Sequence, residues 1–185
     1  MRLILLRHGQ TEANERRLYC GSSDPELSPA GREALLRLRA ERPIDTTGLV
    51  RITSGMRRTD ETMRILFDCA PDCTDFSLKE IDFGAFEGMD YERLKSVPEY
   101  QRWIADASGD LAPPGGESAR AFRARVIAAT ERLTEDSLIV THGGVIAALM
   151  AHWFPEEARN RWDWQPDFGH GYEVSLGVKR TYREL

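Results

Sequence analysis

Three short apolar runs along the chain are each followed at once by a segment of helical periodicity. Arg2-Leu3-Ile4-Leu5-Leu6, Leu49-Val50-Arg51-Ile52-Thr53 and Leu138-Ile139-Val140-Thr141 read as strands. A helix is predicted from Ser28-Pro29, with Ser28 as N-cap and Pro29 at the first helical position. Its inward face is read as Ala34, Leu35 and Leu38, with Arg32, Arg37 and Arg39 in water. Met56, Thr59, Met63, Leu66 and Phe67 mark a second helix, and Ala119, Phe122, Val126, Ala129 and Leu133 a third. A further helix covers Val145 to Met150. Thr74 to Leu78 reads as a short strand, 79–84 as a loop, and Gly171 to Val178 as a late strand. Residues 84–116 lack a sheet pattern and end in Pro113-Pro114-Gly115-Gly116, so short helices and loop over one end of the sheet are expected there. Strands alternating with helices predict an α/β fold with a mostly parallel sheet, and no linker or repeat divides residues 1–185.

Composition narrows the class. Of 185 residues, 41% are hydrophobic and 30% charged, the balance of a globular protein with an ample core. A formal net charge of −5 argues against a nucleic-acid binder. No run approaches the roughly 20 apolar residues that span a bilayer, so neither a nucleic acid nor a membrane is an expected partner. The short apolar stretch after Met1 is flanked by arginines, unlike a signal peptide, and a cytoplasmic location is the expectation. Cys20, Cys69 and Cys73 form no disulfide framework and no metal-ligand spacing is present, so neither metal nor other cofactor is expected.

The chemistry gathers where the strands end. The first runs into Arg7-His8-Gly9, the second into Ser54-Gly55-Met56-Arg57-Arg58, the third into His142-Gly143-Gly144. Parallel strands in one sheet would bring these clusters to the carboxyl edge, where open α/β sheets bind ligands. Arg7 offers planar, permanently charged donors that match phosphate oxygens. Thr11 and Asn14 lie just beyond His8, and Gly143 lets the backbone approach a ligand. Arg57 and Arg58 point about 100° apart on a helix, so one enters the cleft, and the periodicity does not choose between them. Glu80 is the best-placed acid, with Asp82 and Glu87 as competitors. His152 falls at the far end of a helix, and His170 in a loop where a solvated side chain is expected.

Five motifs in order resemble the histidine phosphatase superfamily, also called phosphoglycerate mutase-like. They are Leu6-Arg7-His8-Gly9-Gln10-Thr11, with Asn14 matching the family's phosphate-binding asparagine; Ser54-Gly55-Met56-Arg57-Arg58-Thr59-Asp60-Glu61-Thr62; Glu80 to Gly88; Pro114 to Ser118; and Val140 to Gly144. Gly55, Thr59 and Phe86 stand where proline, alanine and tryptophan are usual. The resemblance implies a three-layer α/β/α fold with a small helical cap at about 84–116. It also implies a reaction through phosphohistidine at His8, with Arg7, Arg58 and His142 holding the phosphoryl group and Glu80 as the acid. On that basis the chain is expected to be a metal-independent phosphatase for a small phosphorylated metabolite. Asn14, Tyr19, Gly21, Asp24 and Leu27 resemble the α-ribazole-5′-phosphate phosphatases of cobalamin assembly, which puts Asn14, Gly21 and Gly143 among the substrate-binding candidates. A broad-specificity sugar phosphate or phosphoglycerate phosphatase, a bisphosphate-dependent mutase and an inactive binding protein are the alternatives. The compact chain favours hydrolysis over mutase chemistry. The cap aromatics Tyr91, Tyr100 and Trp103, with Met89, are read as cap core rather than substrate contacts.

Overall fold

A computed structural model describes residues 1–185. Strand β1 (Arg2–Arg7) lies at the middle of a six-stranded sheet with β2 (Val50–Thr53), β3 (Cys73–Thr74), β4 (Ser137–Thr141), β5 (Gly171–Leu176) and β6 (Arg180–Glu184). The order is β3-β2-β4-β1-β5-β6. The β3–β2, β2–β4 and β4–β1 pairs are parallel, and β1–β5 and β5–β6 are antiparallel. Insertion of β4 between β1 and β2 is the step that matters. It aligns three strand ends, with Arg7 opposite Thr141 and Thr53 opposite Val140.

Alternation along the central strands sends apolar side chains to both faces. Leu3, Leu5 and Ile139 pack under α6 (Ala119–Glu131) and α7 (Gly143–Trp153) with Val126, Ile146 and Met150. Ile4, Leu6, Leu138 and Val140 face α2 (Pro29–Glu41) and α3 (Arg57–Phe67) with Leu35, Met63 and Leu66. The result is a helix–sheet–helix sandwich. Helix α2 begins as predicted, with Ser28 Oγ accepting from Gly31 N–H and Pro29 at its first position.

Between Gly84 and Gly116 the chain forms a 3₁₀ turn (Gly84–Phe86) and the helices α4 (Tyr91–Leu94) and α5 (Pro98–Ala105). Phe86, Leu94 and Tyr100 make a small separate core with Tyr19, Phe83, Met89 and Trp103 packed on it. The hydroxyls of Tyr100 and Tyr19 bond at 2.7 Å. Tyr91 stays exposed.

Four local expectations require correction. Thr74 to Leu78 is not one strand: β3 stops at Thr74, and Phe76–Leu78 is a 3₁₀ turn capped by Asp75, whose carboxylate accepts from Ser77 N–H. The late strand stops at Leu176, and Arg180–Glu184 returns beside it as β6. Ala34 is exposed, because Leu35 and Gly31 carry the buried face of α2. His170 is half-buried rather than solvated, with Nδ1 donating to the Leu185 carbonyl at 2.9 Å. Trp153, Phe154 and Trp164 pack in the core, whereas Trp162 is exposed. No helix is long and apolar enough to cross a membrane.

Candidate active site

The β1 ladder continues one residue past the strand, where His8 N–H donates to the Thr141 carbonyl at 2.9 Å. His8 and His142 therefore leave adjacent strand ends side by side, their ring centroids 5.1 Å apart in an edge-on arrangement. Both are buried, with 5% and 0% exposure. His8 Nδ1 lies 2.7 Å from the Gly9 carbonyl. A carbonyl can only accept, so Nδ1 carries the hydrogen and Nε2 keeps its lone pair. Burial, and then the charge of Arg58, hold the pKa of His8 well below the usual 6.5. The imidazole is neutral at physiological pH, as a nucleophile must be.

Three cationic or polar groups surround it. Arg58, 1% exposed at the start of α3, donates from Nη1 to the Ser23 carbonyl (2.7 Å) and from Nη2 to the Gly21 carbonyl (2.8 Å). Arg57 turns outward to Glu26, and its backbone N–H caps onto Asp24. Arg7 donates from Nη1 to the Pro166 carbonyl at 2.8 Å and stacks on Phe168, 3.8 Å from the ring centroid. His142 Nε2 lies 2.8 Å from Ser54 Oγ. That contact occupies Nε2 and leaves Nδ1 without a protein partner. Burial, followed by the Arg58 charge, pushes the His142 pKa well down too.

Those bonds leave one buried atom on each group without a partner. The buried side-chain nitrogens and oxygens without a protein partner are Arg7 Nε, Arg58 Nε and His142 Nδ1. An unsatisfied buried donor costs about 1–3 kcal/mol, so such groups are uncommon and ask for an acceptor. Three together beside a neutral histidine make a preformed anion site.

Glu80 lines a cavity of about 480 Å³. Its carboxylate accepts from Ile81 N–H (3.0 Å, Oε1) and Gly144 N–H (2.9 Å, Oε2). Burial raises its pKa above the ordinary value, against those two hydrogen bonds and the charges of Arg58 and Arg7. The competing acids are engaged elsewhere. Asp82 accepts from Gly84 N–H, and Glu87 accepts from the backbone N–H groups of Gly21, Ser22, Ser23 and Phe83.

The family model of the histidine phosphatase superfamily (branch 1) matches residues 3–180. The chain belongs to that superfamily. The chain is 35% identical over 162 residues to a bifunctional protein of Mycobacterium tuberculosis, an alignment covering 83% of the chain and 42% of that relative. The chain thus spans less than half the length of that longer protein. It is 30% identical over 165 residues to the 2,3-bisphosphoglycerate-dependent phosphoglycerate mutase of Bradyrhizobium, covering 80% of the chain and 78% of the mutase. Its fold matches the crystal structure of the α-ribazole phosphatase from Shigella flexneri with a TM-score of 0.87 and 29% identity, over 100% of this chain and 96% of that one. The superfamily's enzymes thus include both phosphatases and mutases among its relatives.

The fold brings His8, Arg7, Arg58, His142 and Glu80 close enough that the arginine charges act on both histidines and on Glu80, while three other candidates stand differently. Asn14 Oδ1 accepts from Thr11 N–H and Thr11 Oγ–H, closing a capping box on the four-residue helix α1 (Glu12–Glu15). Its amide nitrogen is the free end, and it faces a shallow cleft shared with Arg7, Tyr19 and Phe168. Of the first three amides of α1, that of Asn14 donates to Thr11 Oγ at 3.3 Å, and those of Glu12 and Ala13 make no hydrogen bond within the protein. Gly21 sits behind Arg58 as the acceptor of its Nη2, clamped by Glu87; a side chain there would strike the Ile81 carbonyl. Gly143 opens α7 with the Gln165 side chain packed against it.

Several supporting residues escape sequence reasoning. Glu87 holds the 21–23 loop whose carbonyls hold Arg58. Thr62 bridges Gly9 N–H and the Arg58 carbonyl, joining the nucleophile's turn to α3. Arg125 pairs with Glu117 and donates to the Ser77 and Lys79 carbonyls, and Thr141 Oγ–H donates to the Leu78 carbonyl, so the turn leading to Glu80 is tied from two sides. The run Gln165-Pro166-Asp167-Phe168 was the available signal for the group that supports Arg7.

Proposed function

We propose that this histidine phosphatase is a metal-independent phosphomonoester hydrolase acting through a phosphohistidine on His8. The observation that carries the reading is the set of three unpartnered buried nitrogens, Arg7 Nε, Arg58 Nε and His142 Nδ1, beside a neutral imidazole; all three are donors with His142 in its Nδ1–H tautomer. His8 Nε2 attacks phosphorus while the ester oxygen departs on the opposite side. The three donors take up the charge on the non-bridging oxygens. Glu80, whose pKa burial raises towards that of a general acid, gives its proton to the leaving alkoxide. The resulting carboxylate removes a proton from the water that attacks phosphohistidine, which returns neutral His8, protonated Glu80 and inorganic phosphate.

For the leaving group we carry α-ribazole 5′-phosphate, and with it a place in cobalamin assembly in the cytoplasm. Support comes from the 0.87 TM-score to the Shigella α-ribazole phosphatase and from the cavity wall beside Glu80. Tyr19, Phe83, Trp103 and Leu111 line that wall, and an aromatic nucleoside suits such a surface. A broad-specificity sugar phosphatase is the alternative, and the mutase relatives keep phosphoryl transfer to an alcohol in play.

A panel of phosphate esters ranked by kcat/KM, with phosphate release and transfer to 3-phosphoglycerate followed in parallel, tests the proposal. Phosphate release that stops in His8→Ala, and a peak for α-ribazole 5′-phosphate, are expected. Undiminished turnover by His8→Ala would sink the mechanism, and a flat ranking would remove the substrate assignment.

A further inference from the structure

The cavity next to Glu80 carries charge that the reaction described above does not use. Arg123 on α6 and Arg161 on the 3₁₀ turn Arg161–Trp164 both line it, together with Tyr19, Phe83 and Trp103. The arginines that flank Arg123 in sequence on α6 are all engaged: Arg120 with Asp110, Arg125 with Glu117 and Arg132, just past the helix, with Asp75. Arg123 makes no ion pair and no hydrogen bond, and the recorded contact of Arg161 is the Trp162 ring at 4.4 Å. The two guanidinium groups are near enough that Arg123, after burial, depresses the pKa of Arg161. Like charges placed together without an acid repel, and an anion between them removes that cost.

Acids close by do not fill the role. Glu80 is held by Ile81 and Gly144, and Asp106 accepts from Ser108 and from Leu111 N–H. Asp110 is taken by Arg120. Around the same mouth Ile104, Leu111 and Trp162 are large apolar side chains left exposed, at 48%, 49% and 57%. A ligand that covers them and reaches the arginine pair has an apolar body and an acidic end.

We propose that Arg123 and Arg161 form a second anion subsite, which binds a carboxylate or phosphate carried by the leaving group. The subsite selects alcohols that bring negative charge of their own, in addition to the phosphoryl group being cleaved. This rests on the hydrolase reading and parts from the α-ribazole assignment: α-ribazole 5′-phosphate carries no second anion and would leave the subsite empty, so the two leaving-group readings are distinguished by the same substrate panel. A bare nucleoside 5′-phosphate fills the apolar wall and leaves the pair unused, whereas the same nucleoside with a second phosphate on its ribose engages both.

Matched substrates test the subsite: phenyl phosphate against 4-carboxyphenyl phosphate, and adenosine 5′-monophosphate against adenosine 3′,5′-bisphosphate. The expected result is a kcat/KM ratio of about tenfold or more for the charged member, expressed in KM and shrinking with added salt. The ratio should fall to about one in the double variant Arg123→Gln/Arg161→Gln and persist in Arg123→Lys. Equal kcat/KM in the wild type, or a ratio that survives the double variant, would overturn the proposal. Calorimetric binding of the same pairs to His8→Ala reads the subsite without turnover. A charge preference in binding with no hydrolysis of any ester by the wild type would count against the hydrolase reading alone; equal binding would count against the subsite alone.

Discussion

Gly144 donates its backbone N–H to Glu80 Oε2 across 2.9 Å, and a methyl group on Gly144 would stand 2.3 Å from Glu80 Oε1. The carboxyl group lies against the first turn of α7 because that turn carries no side chain there. The helix that begins at the second histidine thereby also seats the acid.

Gly144→Ala is expected to displace the acid without unfolding the protein, since alanine is the better helix former. Loss of a positioned general acid is worth about 10²- to 10⁴-fold, so kcat/KM for alkyl phosphates should drop by roughly 10²-fold. The thermal midpoint, measured alongside, should move little. Wild-type rates in this variant would show that Glu80 does not need its present seat.

The role of Glu80 should depend on the leaving group. Glu80→Gln is expected to cost about 10²- to 10⁴-fold with alkyl phosphates and far less with p-nitrophenyl phosphate, whose anion departs without a proton. The pH profile follows the same logic. Activity needs His8 neutral and Glu80 protonated, and the lowering of the His8 pKa and the raising of the Glu80 pKa both act to widen the pH range where that holds. The fall on the alkaline side of kcat/KM belongs to Glu80, so it should flatten with p-nitrophenyl phosphate. An alkaline limb identical for both substrate types would remove Glu80 from the acid role.

Stability should respond to the buried histidines. Their folded pKa values lie well below 6.5, so beneath that pH the unfolded chain binds protons that the folded chain refuses. Stability is complete above pH 6.5 and declines on acidification by about 1.4 kcal/mol per pH unit for each histidine. Urea unfolding between pH 7 and 5 measures this slope. His8→Gln should remove one histidine's share, and a slope equal to that of the wild type would contradict the burial argument.

The alternation of apolar runs with helical stripes made β1, β2, β4, α2, α3 and α6 legible, because each buries one continuous face. Strand β6 was not legible: four of its five residues are exposed, and pairing with β5 holds it in place. The 3₁₀ turn at Phe76–Leu78 was masked in the same way, since Leu78 alone is buried there and Phe76 points to water. At the site, His8 and His142 were visible as histidines at strand ends next to glycine. The choice of Arg58 over Arg57 needed the family motif, and the structure shows the physical basis in the Gly21 and Ser23 carbonyls, which lie more than thirty residues away along the chain.

By itself the sequence determined which segments become strands and helices and which residue types stand at their ends, because burial periodicity and turn chemistry are local. Tertiary structure alone decided what those residues face. Placing β4 between β1 and β2 put His142 beside His8, and the loop clamped by Glu87 spent two nitrogens of Arg58 and left the third free. Hydrogen-bond partners, burial and the resulting pKa shifts are properties of neighbours brought from distant parts of the chain. The same holds for the unpaired Arg123 and Arg161, which only the fold sets along one cavity.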